Sequence, residues 1–204
     1  MAQLVETHGH THDHESPQAK AENLKFAMWL YLASEVIIFS ILIAAFAIFR
    51  VRQPEMVDEA REALSISFVS VNTFVLLASS WAMVMGLLAI QKGNNESMVR
   101  WIGLTGVLGL TFVLLQLVEY QELRHEGIAL YSETAGRFGQ RFYPLTAFHG
   151  AHVIVGVIWA FIVMFKGIKR QYSPTNYIGI EIFGLYWHFV DVVWIILFTM
   201  IYLI

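Results

Sequence analysis

FAMWLYLASEVIIFSILIAAFAIF, Phe26 to Phe49, runs for 24 residues with only Ser34, Glu35 and Ser40 interrupting its apolar character. At about 1.5 Å of rise per residue a helix of this length crosses a hydrocarbon core of roughly 30 Å. The stretch therefore predicts a membrane span, and it carries a carboxyl group into the span. Working outward, four more apolar stretches of similar length follow, at about 64–90, 101–119, 142–165 and 178–203. Between them lie segments with turn or charge signals. RVRQPEMVDEAREA, with Pro54 and a mixed-charge run, predicts a surface loop with one polar helical turn, and KGNNES, the polar stretch from Glu122 to Arg141, and KGIKRQYSPTN predict the other connections. The expected fold is all-α: a polytopic membrane protein with five transmembrane helices in one bundle over 26–204. Residues 1–25 are expected to form a flexible tail, in which HGHTHDH places His8, His10, His12 and His14 at alternate positions.

Composition narrows the function. The chain has 204 residues, is 57% hydrophobic and 14% charged, and has a net charge of −3 with no basic block, so the electrostatic footprint of a nucleic-acid binder is missing. It has no cysteine, which rules out disulfides, thiolate metal sites, iron–sulfur clusters and a cysteine-bridged copper pair in this chain. The N-terminus lacks a basic n-region and the first apolar stretch exceeds a signal h-region, so no cleaved signal peptide is predicted. Five spans put the termini on opposite faces. Lys and Arg number seven on the N-terminal face and six on the other, but all five lysines lie on the N-terminal face, which is expected to be cytoplasmic.

Ionisable groups at bilayer depth cost about 2.5–3.5 kcal/mol each on insertion scales, so they find partners or mark function. Counting along each span puts Glu35 about 14 Å in, His152 and His188 about 15 Å in, and Asp191 about 20 Å in, all near the midplane. His149 and His152 are three residues apart in FHGAHV, as are His188 and Asp191 in YWHFVDVVW, which predicts that each pair shares a helix face. Glu119 is expected near the far interface. Three readings compete: hydrogen bonds that lock helices together, a proton or ion pathway, and a metal site. Metal is the weakest, because di-metal carboxylate bundles use Glu-x-x-His on two helices and a further Glu from each of two others. The His-rich tail is a candidate proton antenna, although such tracts are more often inert solvated segments. Trp29 and Trp101 fit interfacial belts, and Gly103 and Gly106 fit close helix packing.

SEVIIF around Glu35, VEYQE around Glu119, FHGAHV, and the run from Glu181 through YWHFVDVVW resemble subunit III of the heme–copper respiratory oxidases, cytochrome c and quinol oxidases alike. The resemblance covers all five spans in order. It implies a cofactor-free accessory subunit in a bacterial plasma membrane, in direct contact with the catalytic subunit I. Subunit II and small subunits would complete the complex. Heme and copper are then expected in the partners, and no metal, catalytic residue or nucleic-acid partner in this chain. Glu35 matches the family's buried carboxylate, Glu181 its acid seven residues before the histidine of YWHF, and Lys166, with Lys169 nearby, its basic position near lipid headgroups. Bound phospholipid is accordingly expected. Longer relatives have seven helices, the first two forming one arm of a lipid cleft, and this sequence starts at what would be the third. The expected function is support of proton uptake and stability in a proton-pumping cytochrome c oxidase that reduces oxygen to water. The alternatives are the same subunit of a quinol oxidase and, from other classes, a stand-alone proton or solute carrier or a membrane di-metal enzyme.

Overall fold

A computed structural model describes residues 16–128 and 136–204. The histidines of the tail lie outside the described residues. The chain order is α1 (Pro17–Arg52), α2 (Pro54–Ala63), α3 (Ile66–Gln91), α4 (Asn95–His125), α5 (Gly136–Ile168) and α6 (Ile178–Phe198), closed by a π-helical turn over Thr199–Leu203. Five of these helices, all but α2, are long and apolar enough to cross a membrane. Helix α3 packs along α4 and α4 along α5, α6 bridges α3 and α5, and α1 lies against α5 and α6.

Two expectations need correction. Helix α1 starts at Pro17, so 17–25 are helical where a flexible tail is expected. Ser16 caps it by accepting from the Ala19 N–H at 3.2 Å, Pro17 stands in the first turn, and AKAEN is a run with little to break a helix. The segment after α1 is a full ten-residue helix, α2, rather than a loop with a single turn. Pro54 opens it, and Val57 and Ala60, three residues apart, are buried against the bundle. Helices α4 and α5 likewise extend past the apolar runs that predict them, because a helix does not have to end where the hydrocarbon does.

The helices approach closely where one of them offers glycine. A Cβ on Gly109 of α4 or on Gly156 of α5 would lie 2.5 Å from the Trp187 ring of α6. One indole thus fills the space that two glycines leave, the small-residue packing membrane helices depend on when lipid tails are as apolar as leucine. At the opposite end Arg50 of α1 donates from Nη1 to the Met200 carbonyl at 2.8 Å and from Nη2 to the Ile204 carbonyl, satisfying acceptors at the end of the last helix. The α3–α4 turn ends at Gly93, whose φ of +80° only glycine adopts without strain.

Gly156→Leu forces Trp187 out of its seat, and overpacking of this kind costs about 1–3 kcal/mol. Thermal unfolding of the purified protein in detergent is expected to begin at lower temperature in this variant than in Gly127→Leu at an open turn, where a Cβ meets nothing within 4 Å. The Gly127 change carries only its backbone strain.

Candidate functional site

Glu35, Glu119, His149, His152 and His188 each contact another helix, and Asp191 has its ionisable neighbour on its own helix. Glu35 on α1 meets His152 on α5, Oε2 to Nε2, at 3.2 Å, with only 12% and 11% of the two side chains exposed. His152 Nδ1 lies 2.8 Å from the Phe148 carbonyl, an acceptor, so Nδ1 carries a proton. The Nε2–Oε2 contact is then a hydrogen bond that joins α1 to α5. Phe39 and Phe148 pack edge-on against the His152 ring, and Tyr186 of α6 donates to the His152 carbonyl at 2.9 Å. Three helices therefore converge on this pair.

His149 and His152 do not act together as their spacing suggests. His149 is fully buried and turns toward α6: Nε2 reaches the Val190 carbonyl at 3.2 Å, and the ring stacks on Trp194 at 4.9 Å. Three residues leave about 60° between two side chains on a helix, enough to point them at different neighbours. Its Nδ1 is buried without a partner.

The second pair lies within α6. His188 Nδ1 is 3.9 Å from Asp191 Oδ2 and 2.6 Å from Ser80 Oγ of α3. The two partners differ in setting, since the His188 side chain is 43% exposed and that of Asp191 5%. Both Asp191 oxygens are buried without a direct hydrogen bond.

Glu119 is buried at the far end of the bundle and accepts from the Tyr202 hydroxyl at 2.7 Å, joining α4 to the π-helical turn. Beside it Tyr120 donates to Thr146 Oγ1 at 2.7 Å, joining α4 to α5. Glu181 sits at the other end, where Lys25 pairs with it at 2.7 Å in a partly exposed contact between α1 and α6. Lys166 and Lys169 are exposed at the end of α5. Among the described residues no three His, Cys, Asp or Glu side chains come together as a ligand set.

Sequence reasoning misses the indoles. Trp187 Nε1 donates to Ser79 Oγ at 3.0 Å and Trp194 Nε1 to Thr73 Oγ1 at 2.9 Å, two parallel bonds from α6 to α3. The signal is half present: the tryptophans are seven residues apart and share a face of α6, whereas Thr73 and Ser79, six apart, stand about 120° from each other around α3.

A family model described as cytochrome c oxidase subunit III matches residues 5–204. The chain belongs to this family. Cytochrome c oxidase subunit 3 of Synechocystis is 36% identical over 98% of this chain and 80% of its own length. Cytochrome bo(3) ubiquinol oxidase subunit 3 of Pseudomonas aeruginosa is 30% identical over 98% and 94%, and quinol oxidase subunit 3 of Bacillus subtilis 33% identical over 96% and 95%. The molecule is thus a subunit III of a heme–copper oxidase, part of a multi-subunit membrane complex, and its similar relatives carry both kinds of name.

Glu35→Leu leaves His152 Nε2 buried and unsatisfied, as His152→Leu does for the Glu35 carboxyl, at about 1–3 kcal/mol for each orphaned group. The double variant should lose less stability than the two single losses together. Thermal unfolding of the purified complexes checks this, and strictly additive losses would show that the contact contributes nothing.

Proposed function

We propose that this subunit is the accessory, cofactor-free subunit III of a proton-pumping cytochrome c oxidase. In this reading the heme and copper lie in partner subunits, subunit I in direct contact and subunit II beyond it. The observation that carries it is the use made of the polar residues: Glu35, Glu119, His149 and His152 are largely buried and bonded to other helices, an arrangement suited to holding a bundle rigid beside a catalytic neighbour. The chain itself has no catalytic role here. It resides in the bacterial plasma membrane with its N-terminus cytoplasmic, an orientation supported by the placement of all five lysines on that face. Lys166 and Lys169, exposed at that face, bind phospholipid headgroups. The second reading, a quinol oxidase, is favoured by the names of two similar relatives and differs only in the electron donor that other subunits receive.

Removing the chain is expected to leave the heme spectrum and the initial rate of oxygen reduction largely intact, while activity decays during sustained turnover. Loss of the normal heme spectrum in the remaining complex would refute the accessory role. For the antenna, an unperturbed imidazole titrates near pH ~6.5, so the tail histidines are mostly neutral proton acceptors at alkaline pH, where free protons are scarce. Deleting residues 1–16 should then slow proton uptake most at alkaline pH. An unchanged pH–rate profile would show the tail to be inert.

A further inference from the structure

Membrane-depth carboxyl and imidazole groups almost always face protein or water, because hydrocarbon offers them no partner. In this bundle the side chains of Glu35, His152 and Asp191 are 12%, 11% and 5% exposed and His149 is fully buried. His188, at the same depth, is 43% exposed. Ser80 engages its Nδ1, and among the described residues nothing in the chain bonds Nε2. The ring lines a groove walled by α1 and α6, to which Met83, Val84 and Leu87 of α3 add a third wall at the end near Lys25. Two adjoining cavities, about 270 and 530 Å³, share Trp29, Leu185 and His188 as walls. Lys25 and Glu181 stand at one mouth and Val36 and Val192 border the other end. From Glu181 to Val192 the groove follows α6 for about 16 Å, roughly half the hydrocarbon thickness.

Acyl chains would fill the apolar walls but leave an imidazole edge in hydrocarbon with no hydrogen bond at mid-membrane. An occupant that satisfies the site is apolar along its length and carries one polar group at mid-depth. A transmembrane helix of another subunit has this character, and the chain belongs to a family of subunits of a membrane complex. Ala33, a small residue on the α1 wall, leaves room for a second backbone to come close.

We propose that the α1–α6 groove centred on His188 is the seat for a transmembrane helix of a neighbouring oxidase subunit, which presents a hydrogen-bonding side chain to His188 Nε2. The inference rests on the reading of this chain as part of an assembled oxidase, and the test separates the two.

A photoreactive diazirine side chain replaces Ala33 on one wall, Val192 on the other, or Val155 on the outward face of α5, which is 53% exposed. The heme-bearing complex is irradiated in native membranes, purified through this chain, and its adducts are identified by mass. Adducts from 33 and 192 are expected on a transmembrane peptide of a heme-bearing complex partner, and adducts from 155 on lipid. Should the Ala33 variant fail to assemble, Val192 reads the opposite wall. Lipid adducts alone at both groove positions, or adducts only to a second copy of this chain, overturn the docking seat while leaving the subunit reading intact. If the unmodified chain purifies with no heme-bearing partner, the subunit reading itself fails. As a second measurement, His188→Gln, which keeps a hydrogen-bonding group, should stay on the complex through a detergent wash that strips His188→Leu. Equal retention of the two contradicts the proposed bond.

Discussion

Hydrocarbon provides no hydrogen-bond partner, so polar groups carried into it depend on the protein for one, and in this chain several find it on a different helix. Glu35 reaches from α1 to α5, Tyr202 from the last turn to α4, Trp187 and Trp194 from α6 to α3, and Tyr120 from α4 to α5. Each bond has modest net worth, near ~0.6 kcal/mol on average in membranes. Their effect on register is larger, because sliding one helix by a residue would strand both partners at once. Apolar packing alone does not set register in a lipid solvent. The glycines around Trp187 let the helices come close, and the polar bonds fix where they stop.

Aromatic groups enclose the polar ones. Phe39, Phe148 and Tyr186 surround the Glu35–His152 contact, and Phe112 and Trp194 surround His149. Their rings leave only 12% of the Glu35 and 11% of the His152 side chain exposed. His188 is the departure from this pattern, facing outward at mid-depth, and for that reason it bears on how the subunit joins its neighbours.

The five spans were legible because run length is a one-dimensional property that the sequence states directly. Helix α2 was not, since its buried face consists of little more than Val57 and Ala60 among charged residues, too few to stand out from a polar loop. The start of α1 was obscured for a related reason: Ala19 to Asn23 form a good helix without being apolar, and hydropathy tracks the membrane rather than the helix. Within the site, the depth of Glu35 and His152 could be counted from the sequence, which narrows their partners to groups at similar depth without choosing among His152, His188 and Asp191. The divergence of His149 from His152, and the pairing of Tyr202 with Glu119, depend on which helices neighbour which, and spacing along one helix says nothing of that. Nothing in the sequence marks Ser80, Thr73 and Ser79, because a lone hydroxyl in an apolar span commonly bonds its own backbone, as Ser70 does with the Ile66 carbonyl.

The central claim is that Glu35 and Glu119 tie helices together and that no membrane-depth carboxyl, Asp191 included, carries an obligatory proton. It is tested most directly by the proton-to-electron ratio of reconstituted complexes in which Glu35, Glu119 or Asp191 is replaced singly by leucine, measured beside the lifetime of each complex in detergent. The account predicts shortened lifetimes for Glu35→Leu, which orphans His152 Nε2, and for Glu119→Leu, which removes the bond from Tyr202 that joins α4 to the last turn, and an unchanged ratio in every complex that survives. A variant that stays fully assembled and equally long-lived, reduces oxygen, and no longer pumps would contradict it.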